Sequence, residues 1–210
     1  MSSQDELCMA VKEVLNASKT DRGGYVGYTP YHVIEAMRFM RDRPVGRHQL
    51  IQGLNIGEAS AKTLIKRLRS NNIIMSSKTG HILTEKGTFI LDKITSIYSI
   101  SHIEGVWIPG FREPVVIASN YINPPVNIVD VYNIRDQIII YKCSKVVIGS
   151  IIENELLFPG IPGDLSDTIT SNLKFIKNLV NYATLIIIEK ECIPNTINAI
   201  LHIINNKCNK

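Results

Sequence analysis

The sequence predicts an α+β chain. Its N-terminal part is a run of short helices closed by a hairpin, and a small α/β domain with a mixed sheet follows. Three observations carry this. Apolar residues recur at helical spacing in several short blocks before residue 98. A polar turn holding a glycine, Ser76-Ser77-Lys78-Thr79-Gly80, separates two short β-prone segments. Beyond residue 114, strand-like and helix-like stretches alternate.

Residues 5–18 place Leu7, Val11, Val14 and Leu15 on one helical face, a helix that docks on its neighbours or pairs two copies. Lys19 to Tyr28 is polar, contains Gly23, Gly24 and Gly27, and reads as a connector. Thr29 then caps a helix that opens on Pro30 and carries Val33, Met37 and Met40. A second helix spans Arg47 to Gly53, and Leu54-Asn55-Ile56-Gly57 is a short turn. A third runs from Glu58 to about Asn71. Ile73 to Met75 and His81 to Leu83 form the hairpin, and Thr84 caps a helix with Phe89, Ile90, Ile94 and Ile97. Helix, helix, tight turn, helix, hairpin, helix in fewer than 70 residues is the order of a winged helix-turn-helix.

The division expected is an N-terminal helix and connector over 1–27, the winged helix-turn-helix over 28–98, a linker over 99–114 and an α/β domain over 115–210. In that last domain, Val115 to Ala118 is a strand. The isoleucine run at Arg135–Tyr141 fits a helix or a strand. Val146–Ile151 and Glu155–Phe158 form a hairpin around Glu153-Asn154. Ser166–Asn181 is helical, Leu185–Glu189 a buried strand, and Pro194 opens a last helix with Ile197, Ile200, Leu201 and Ile204 inward.

Charge is uneven along the chain. Residues 31–100 hold eleven Lys/Arg and five Asp/Glu, a surplus of +6, whereas 1–30 and 101–210 each sum to −1. A surplus confined to one small domain points to a polyanionic partner. On the third helix, Ala61, Leu64, Ile65 and Leu68 make the inward stripe. The opposite side holds Ala59, Thr63, Lys66 and Ser70, flanked by Lys62 and Arg67. Small residues let a helix approach base edges, while Thr, Lys and Arg supply hydrogen bonds to bases and phosphates. Lys78 at the hairpin tip and Arg47 at the start of the second helix add charge on neighbouring elements. The expected partner is double-stranded DNA, read by Arg47, Ala59, Lys62, Thr63, Lys66, Arg67, Ser70 and Lys78.

Several classes are disfavoured. No apolar run approaches the ~20 residues of a membrane span, and the first residues lack the basic and apolar blocks of a secretory signal. A cytoplasmic protein with no membrane partner is expected. Cys8, Cys143, Cys192 and Cys208 lie at no metal-ligand spacing and read as isolated thiols, so no metal or cofactor is expected. No nucleophile–histidine arrangement or phosphate loop can be assembled, which argues against an enzyme. Arg135 and Asp136 are candidates for effector binding, with Arg135 suited to a carboxylate or phosphate, and a helix-start Asp with a locally paired Arg as the alternative.

Pro44-Val45-Gly46-Arg47, Leu54-Asn55-Ile56-Gly57-Glu58, Lys62-Thr63-Leu64-Ile65-Lys66-Arg67-Leu68 and Gly80-His81-Ile82-Leu83-Thr84-Glu85-Lys86-Gly87 together resemble archaeal winged-helix regulators. In that family a C-terminal domain of unknown function follows the DNA-binding domain. Arg135-Asp136 and Leu157-Phe158-Pro159-Gly160 are similar to its arginine-aspartate helix and phenylalanine-proline-glycine turn. Lys142-Cys143 and Lys145-Val146 stand where the family has small residues, and Ile134 stands where it has glutamine. The resemblance implies a transcriptional regulator; because one winged helix reads only a short half-site, a homodimer is expected, held by residues 101–210 or by the Asp5–Ser18 helix. The run Ile138-Ile139-Ile140 or the Ile197, Ile200, Ile204 helix would supply the apolar surface. Two other readings remain open: a protein-interaction module, and a regulator whose second domain acts on a small metabolite.

Overall fold

The computed structural model of the 210-residue chain describes residues 2–19, 27–103, 107–178 and 180–209. The chain is α+β and divides into two compact units, one of 1–96 with 205–210 and one of 97–204. The connector glycines Gly23 and Gly24, and Leu179 of the expected 166–181 helix, lie outside the described residues.

In the first unit, α1 (Ser3–Ser18) starts at a capping box between Ser2 and Asp5. It buries Leu7, Ala10, Val11, Val14 and Leu15 against its neighbours, so it docks within the unit and leaves no apolar face for a second copy. Next come α2 (Pro30–Phe39), α3 (Arg47–Leu54) and α4 (Glu58–Ser70). Thr29 and Pro30 start α2 as expected from their residue types. Gln49 Oε1 accepts from Gly46 N at 2.8 Å and holds the start of α3. Asn55, at φ 50° in the left-handed region that Asn tolerates, turns the chain from α3 to α4. Then β1 (Ile74–Ser77) and β2 (Gly80–Leu83) form an antiparallel hairpin, and α5 (Glu85–Thr95) closes the unit.

Two glycines are fixed by close backbone approach. Val45 and His81 exchange backbone hydrogen bonds of 2.8 and 2.9 Å, adding a third short chain to the hairpin. A Cβ on Gly80, whose φ is 145°, would lie 2.7 Å from the Val45 carbonyl. A Cβ on Gly87, in the first turn of α5, would meet the Ile73 carbonyl oxygen, so α5 lies directly on the chain entering β1.

The second unit is built on one five-stranded sheet in the order β3-β4-β7-β5-β6. Its strands are β3 (Ser99–His102), β4 (Pro114–Ser119), β5 (Val146–Ile152), β6 (Glu155–Leu157) and β7 (Tyr182–Glu189). Every pairing is antiparallel, which corrects the expected mixed sheet. The alternation of strand and helix that suggested parallel crossovers does not itself set strand direction; antiparallel neighbours form equally well across long connections. The expected linker at 99–114 is corrected as well. Ser99–His102 pairs with Val115–Ala118 as an edge strand.

All of Pro114–Ser119 and Ala183–Glu189 is buried, so both faces of the central strands are covered. One face carries Val116, Ala118, Ile151, Leu185 and Ile187 against Ile169, Leu173 and Phe158. Here α7 (Gly163–Asn172) ends earlier than the expected 166–181 helix and passes into a 3-10 turn at Lys174–Asn178. A third helix, α8 (Ile193–Cys208), buries Ile197, Ile200, Leu201 and Ile204. α6 runs Ile128–Ile139, seven residues earlier than the isoleucine run suggests, because Asn127 Oδ1 accepts from Val129 N and Asp130 N. Ser119, Thr184 and Ser150 stand opposite one another across β4, β7 and β5, all fully buried. Each hydroxyl donates to a loop carbonyl, of Ile97, Ile122 and Pro125 in turn, at 2.8–3.0 Å. This row satisfies buried backbone and fixes the chain that leads into α6.

The cysteines correct a further expectation. All four are paired: Cys8 with Cys208 in the first unit, and Cys143 with Cys192 in the second, with Cα atoms 5.6 and 5.7 Å apart. The pairs span 200 and 49 residues, separations at which spacing in the sequence carries no information about proximity.

Candidate functional site

The basic surface is built on α4. Ala61, Leu64, Ile65 and Leu68 turn inward, which leaves Ala59, Lys62, Lys66 and Ser70 exposed and Thr63 half-buried. Thr63 Oγ1 donates to the Ala59 carbonyl at 2.9 Å and Ser70 Oγ to the Arg67 carbonyl at 3.0 Å, so each hydroxyl proton is committed to the helix while its lone pairs stay open. Lys62 and Lys66 have no ion pair or hydrogen bond among the described residues. Arg47, at the first position of α3, reaches Glu58 at the first position of α4 at 3.4 Å, with both side chains more than half exposed. Such a pair is weak and exchangeable.

Lys78 is exposed at the tip of the β1–β2 hairpin, next to Thr79, whose N–H donates to Ser77 Oγ. His81 follows the tip. Partial burial, with the charge of Arg69 second, lowers its pKa and keeps the imidazole neutral at pH 7. It adds no positive charge to this face.

Arg67 is the departure from expectation on α4. Its guanidinium turns back into the first unit and donates to the carbonyls of Ala17 and Lys19 and to the Tyr28 hydroxyl. Tyr28 in turn donates to the Ala17 carbonyl at 3.0 Å. Arg67 therefore ties the end of α1 to α4 and is withdrawn from the exposed reading face. The reason is angular: on a 100° wheel it lies on the flank facing α1, opposite the flank that holds Lys62 and Arg69.

Arg135 and Asp136 lie in the second unit on α6. They pair with each other at 3.3 Å, and the Arg135 guanidinium sits 4.8 Å from the Tyr132 ring centre. The Arg135 Nε is buried without a hydrogen-bond partner. Neither residue lines the cleft bounded by Arg112, Lys142 and Glu189 or the cavity between Asp5 and Cys208. A polar centre not anticipated from the sequence is Glu189, at the end of β7. It accepts from Arg112 N at 3.1 Å, from Glu113 N at 3.0 Å, and from Lys145 Nζ at 3.5 Å. Burial alone would raise its pKa, but the Glu113 and Arg112 amides and the Lys145 ammonium together hold it below the ordinary carboxylate range. The sequence signal available was only an acid closing an apolar strand, Leu185–Glu189.

Among the described residues, no group of three or more His, Cys, Asp or Glu is placed to hold a metal ion, and no helix is long and apolar enough to cross a membrane.

The fold and surface together define a two-unit α+β protein whose N-terminal unit carries a basic helix and hairpin. Residues 33–89 match the family described as PH0730-like, N-terminal domain. Among solved structures, the chain is similar to the hypothetical protein PH0730 from Pyrococcus horikoshii OT3, at a TM-score of 0.54 and 24% identity, over 84% of this chain and 91% of that one. At that identity the likeness establishes a shared fold. Both matches fit a two-domain family represented in archaea. No curated protein matches the chain.

Proposed function

We propose that the protein is a sequence-specific double-stranded DNA-binding protein, a transcriptional regulator whose N-terminal unit acts as a winged helix-turn-helix. The observation that carries this reading is the outward side of α4. Lys62 and Lys66 stand exposed and unpaired beside small side chains at Ala59, Thr63 and Ser70. In the proposed complex α4 enters the major groove, Thr63 and Lys66 meet base edges, and Lys62 and Ser70 meet the flanking strand. Lys78 contacts phosphate or the minor groove from the hairpin tip, and Arg47 exchanges Glu58 for a phosphate. Arg67 holds α4 in place and makes no base contact. The reading assigns no catalytic step to the chain.

In the same proposal two copies pair through the second unit. The isoleucines of α8 are buried in their own unit and do not serve. The surface that fits is α6, where Ile128, Val129, Tyr132, Ile139 and Ile140 are exposed, with Val126 just before the helix. A two-fold axis across this helix would set the same stripe against itself. The direct test of the DNA-binding reading is a titration of the full chain with operator candidates obtained by selection from random duplexes. Recovery of one motif, bound far more tightly than random duplex, is expected. Failure to enrich any sequence overturns the reading.

A further inference from the structure

The second unit has a cleft of about 640 Å³, within the range of small-molecule sites. Arg112, Glu113, Lys142, Lys145, Glu189 and Cys192 are among its lining residues, and Lys190 and Glu191 complete its charged set. Most of its acidic charge is spent. Glu189 is held by two backbone N–H groups and by Lys145, and Glu113 lies 3.5 Å from Lys190. Arg112 and Lys142 have no side-chain partner among the described residues, and both are exposed. Glu191, also lining the cleft, has no ion pair among the described residues. Cys192 ends a 3-10 turn at Lys190–Cys192 and Asn195 lies in the first turn of α8, where the Ile193 N–H already donates to the Lys190 carbonyl and Pro194 has no N–H.

The walls are tied to one another. Glu189 pins the 112–113 backbone, and Lys145 Nζ donates to the Gly110 carbonyl at 2.9 Å. The Cys143–Cys192 disulfide joins the segment after α6 to the start of α8. Lys142 occupies a left-handed conformation, φ 65°, in the turn that directs the chain out of α6. Ties of this kind lower the ordering cost of a ligand.

We propose that this cleft binds a small metabolite through an oxyanion, a phosphate or carboxylate group seated between the Arg112 guanidinium and the Lys142 ammonium. The planar fork of Arg112 suits two parallel hydrogen bonds to such a group. The site is separate from Arg135 and Asp136 and does not depend on the DNA-binding reading. If that reading holds as well, the cleft is the effector site.

The test uses the full chain with two probes, inorganic phosphate and succinate, followed by calorimetric titration and by backbone amide chemical shifts. Saturable one-to-one binding of at least one probe is expected, with shifts at 112–113, 142–145 and 192–196. Arg112→Ala/Lys142→Ala should weaken it by about tenfold or more, since each substitution removes a charge-assisted hydrogen bond to the anion. Lys62→Ala/Lys66→Ala should leave it unchanged. Arg112→Lys/Lys142→Arg should keep partial affinity, which separates charge loss from misfolding. Binding that survives Arg112→Ala/Lys142→Ala, binding that disappears with Lys62→Ala/Lys66→Ala, or no binding of either probe at millimolar concentration overturns the proposal.

Discussion

Removing two lysines from α4 should change how DNA affinity responds to salt, by an amount the structure sets. Lys62, Lys66, Arg69 and Lys78 are the exposed cations of α4 and the hairpin that have no ion pair among the described residues. On a random duplex, where Lys66 meets phosphate in place of a chosen base edge and Arg47 stays on Glu58, these four contacts should make log K fall with log salt at a slope of about −3.6, at roughly −0.9 per contact. Between 50 and 200 mM salt that is a loss of about 150-fold in affinity. Lys62→Ala/Lys66→Ala leaves two contacts, a slope of about −1.8 and a loss of about 12-fold over the same range. Both side chains are exposed and unpaired, so folding stability should stay within about 0.5 kcal/mol of the parent. Fluorescence anisotropy of a labelled random duplex, titrated with the full chain at several salt concentrations, measures the slope. A parent slope near zero, or a double variant with the parent's slope, refutes the placement of α4 on the duplex.

Gly87→Ala tests the packing of α5. Alanine is intrinsically better in a helix by about 1 kcal/mol, but its Cβ would run into the Ile73 carbonyl. Overpacking of this kind costs about 1–3 kcal/mol, so a lower melting temperature is expected, and an unchanged or higher one contradicts the close approach. Arg67→Ala should cost about 0.5–1.5 kcal/mol in urea unfolding by removing its hydrogen bonds to the Ala17 and Lys19 carbonyls, with the salt slope of DNA binding intact. A stable variant whose slope drops by about 0.9 would instead return Arg67 to the DNA face. Light scattering should give about twice the 23.5 kDa chain mass, and Ile140→Glu, at the exposed apolar residue that caps the end of α6, should return it to the single-chain value. A monomeric parent at high micromolar concentration removes the pairing model.

The first unit was legible because its signals are local. Thr29-Pro30 and Thr84 start helices by their own chemistry, and Asn55 supplies the left-handed turn between α3 and α4. The inward stripe of α4 follows from spacing alone. The contacts of Arg67 were not legible, because the wheel that places it on a flank of α4 says nothing about what stands beside it. Ala17 and Lys19 lie some fifty residues earlier in the chain, and their carbonyls are invisible to any pattern of side chains.

The second unit was harder to read because its determinants are long-range. Strand direction in an apolar segment such as Ala183–Glu189 depends on partners more than thirty residues away, and β3 looked like a linker because a four-residue edge strand has too few side chains to show a period. The disulfides follow the same logic, closing over 200 and 49 residues. The cleft is the extreme case. Arg112, Lys142 and Lys145 each read singly as ordinary solvated cations, and Glu189 reads as the polar end of a buried strand. Only the antiparallel pairing of β5 and β4 on either side of β7 brings Lys145 and Glu113 to the end of the strand that carries Glu189. A site assembled from three separated segments leaves no motif; its chemistry exists only once the sheet has set the register.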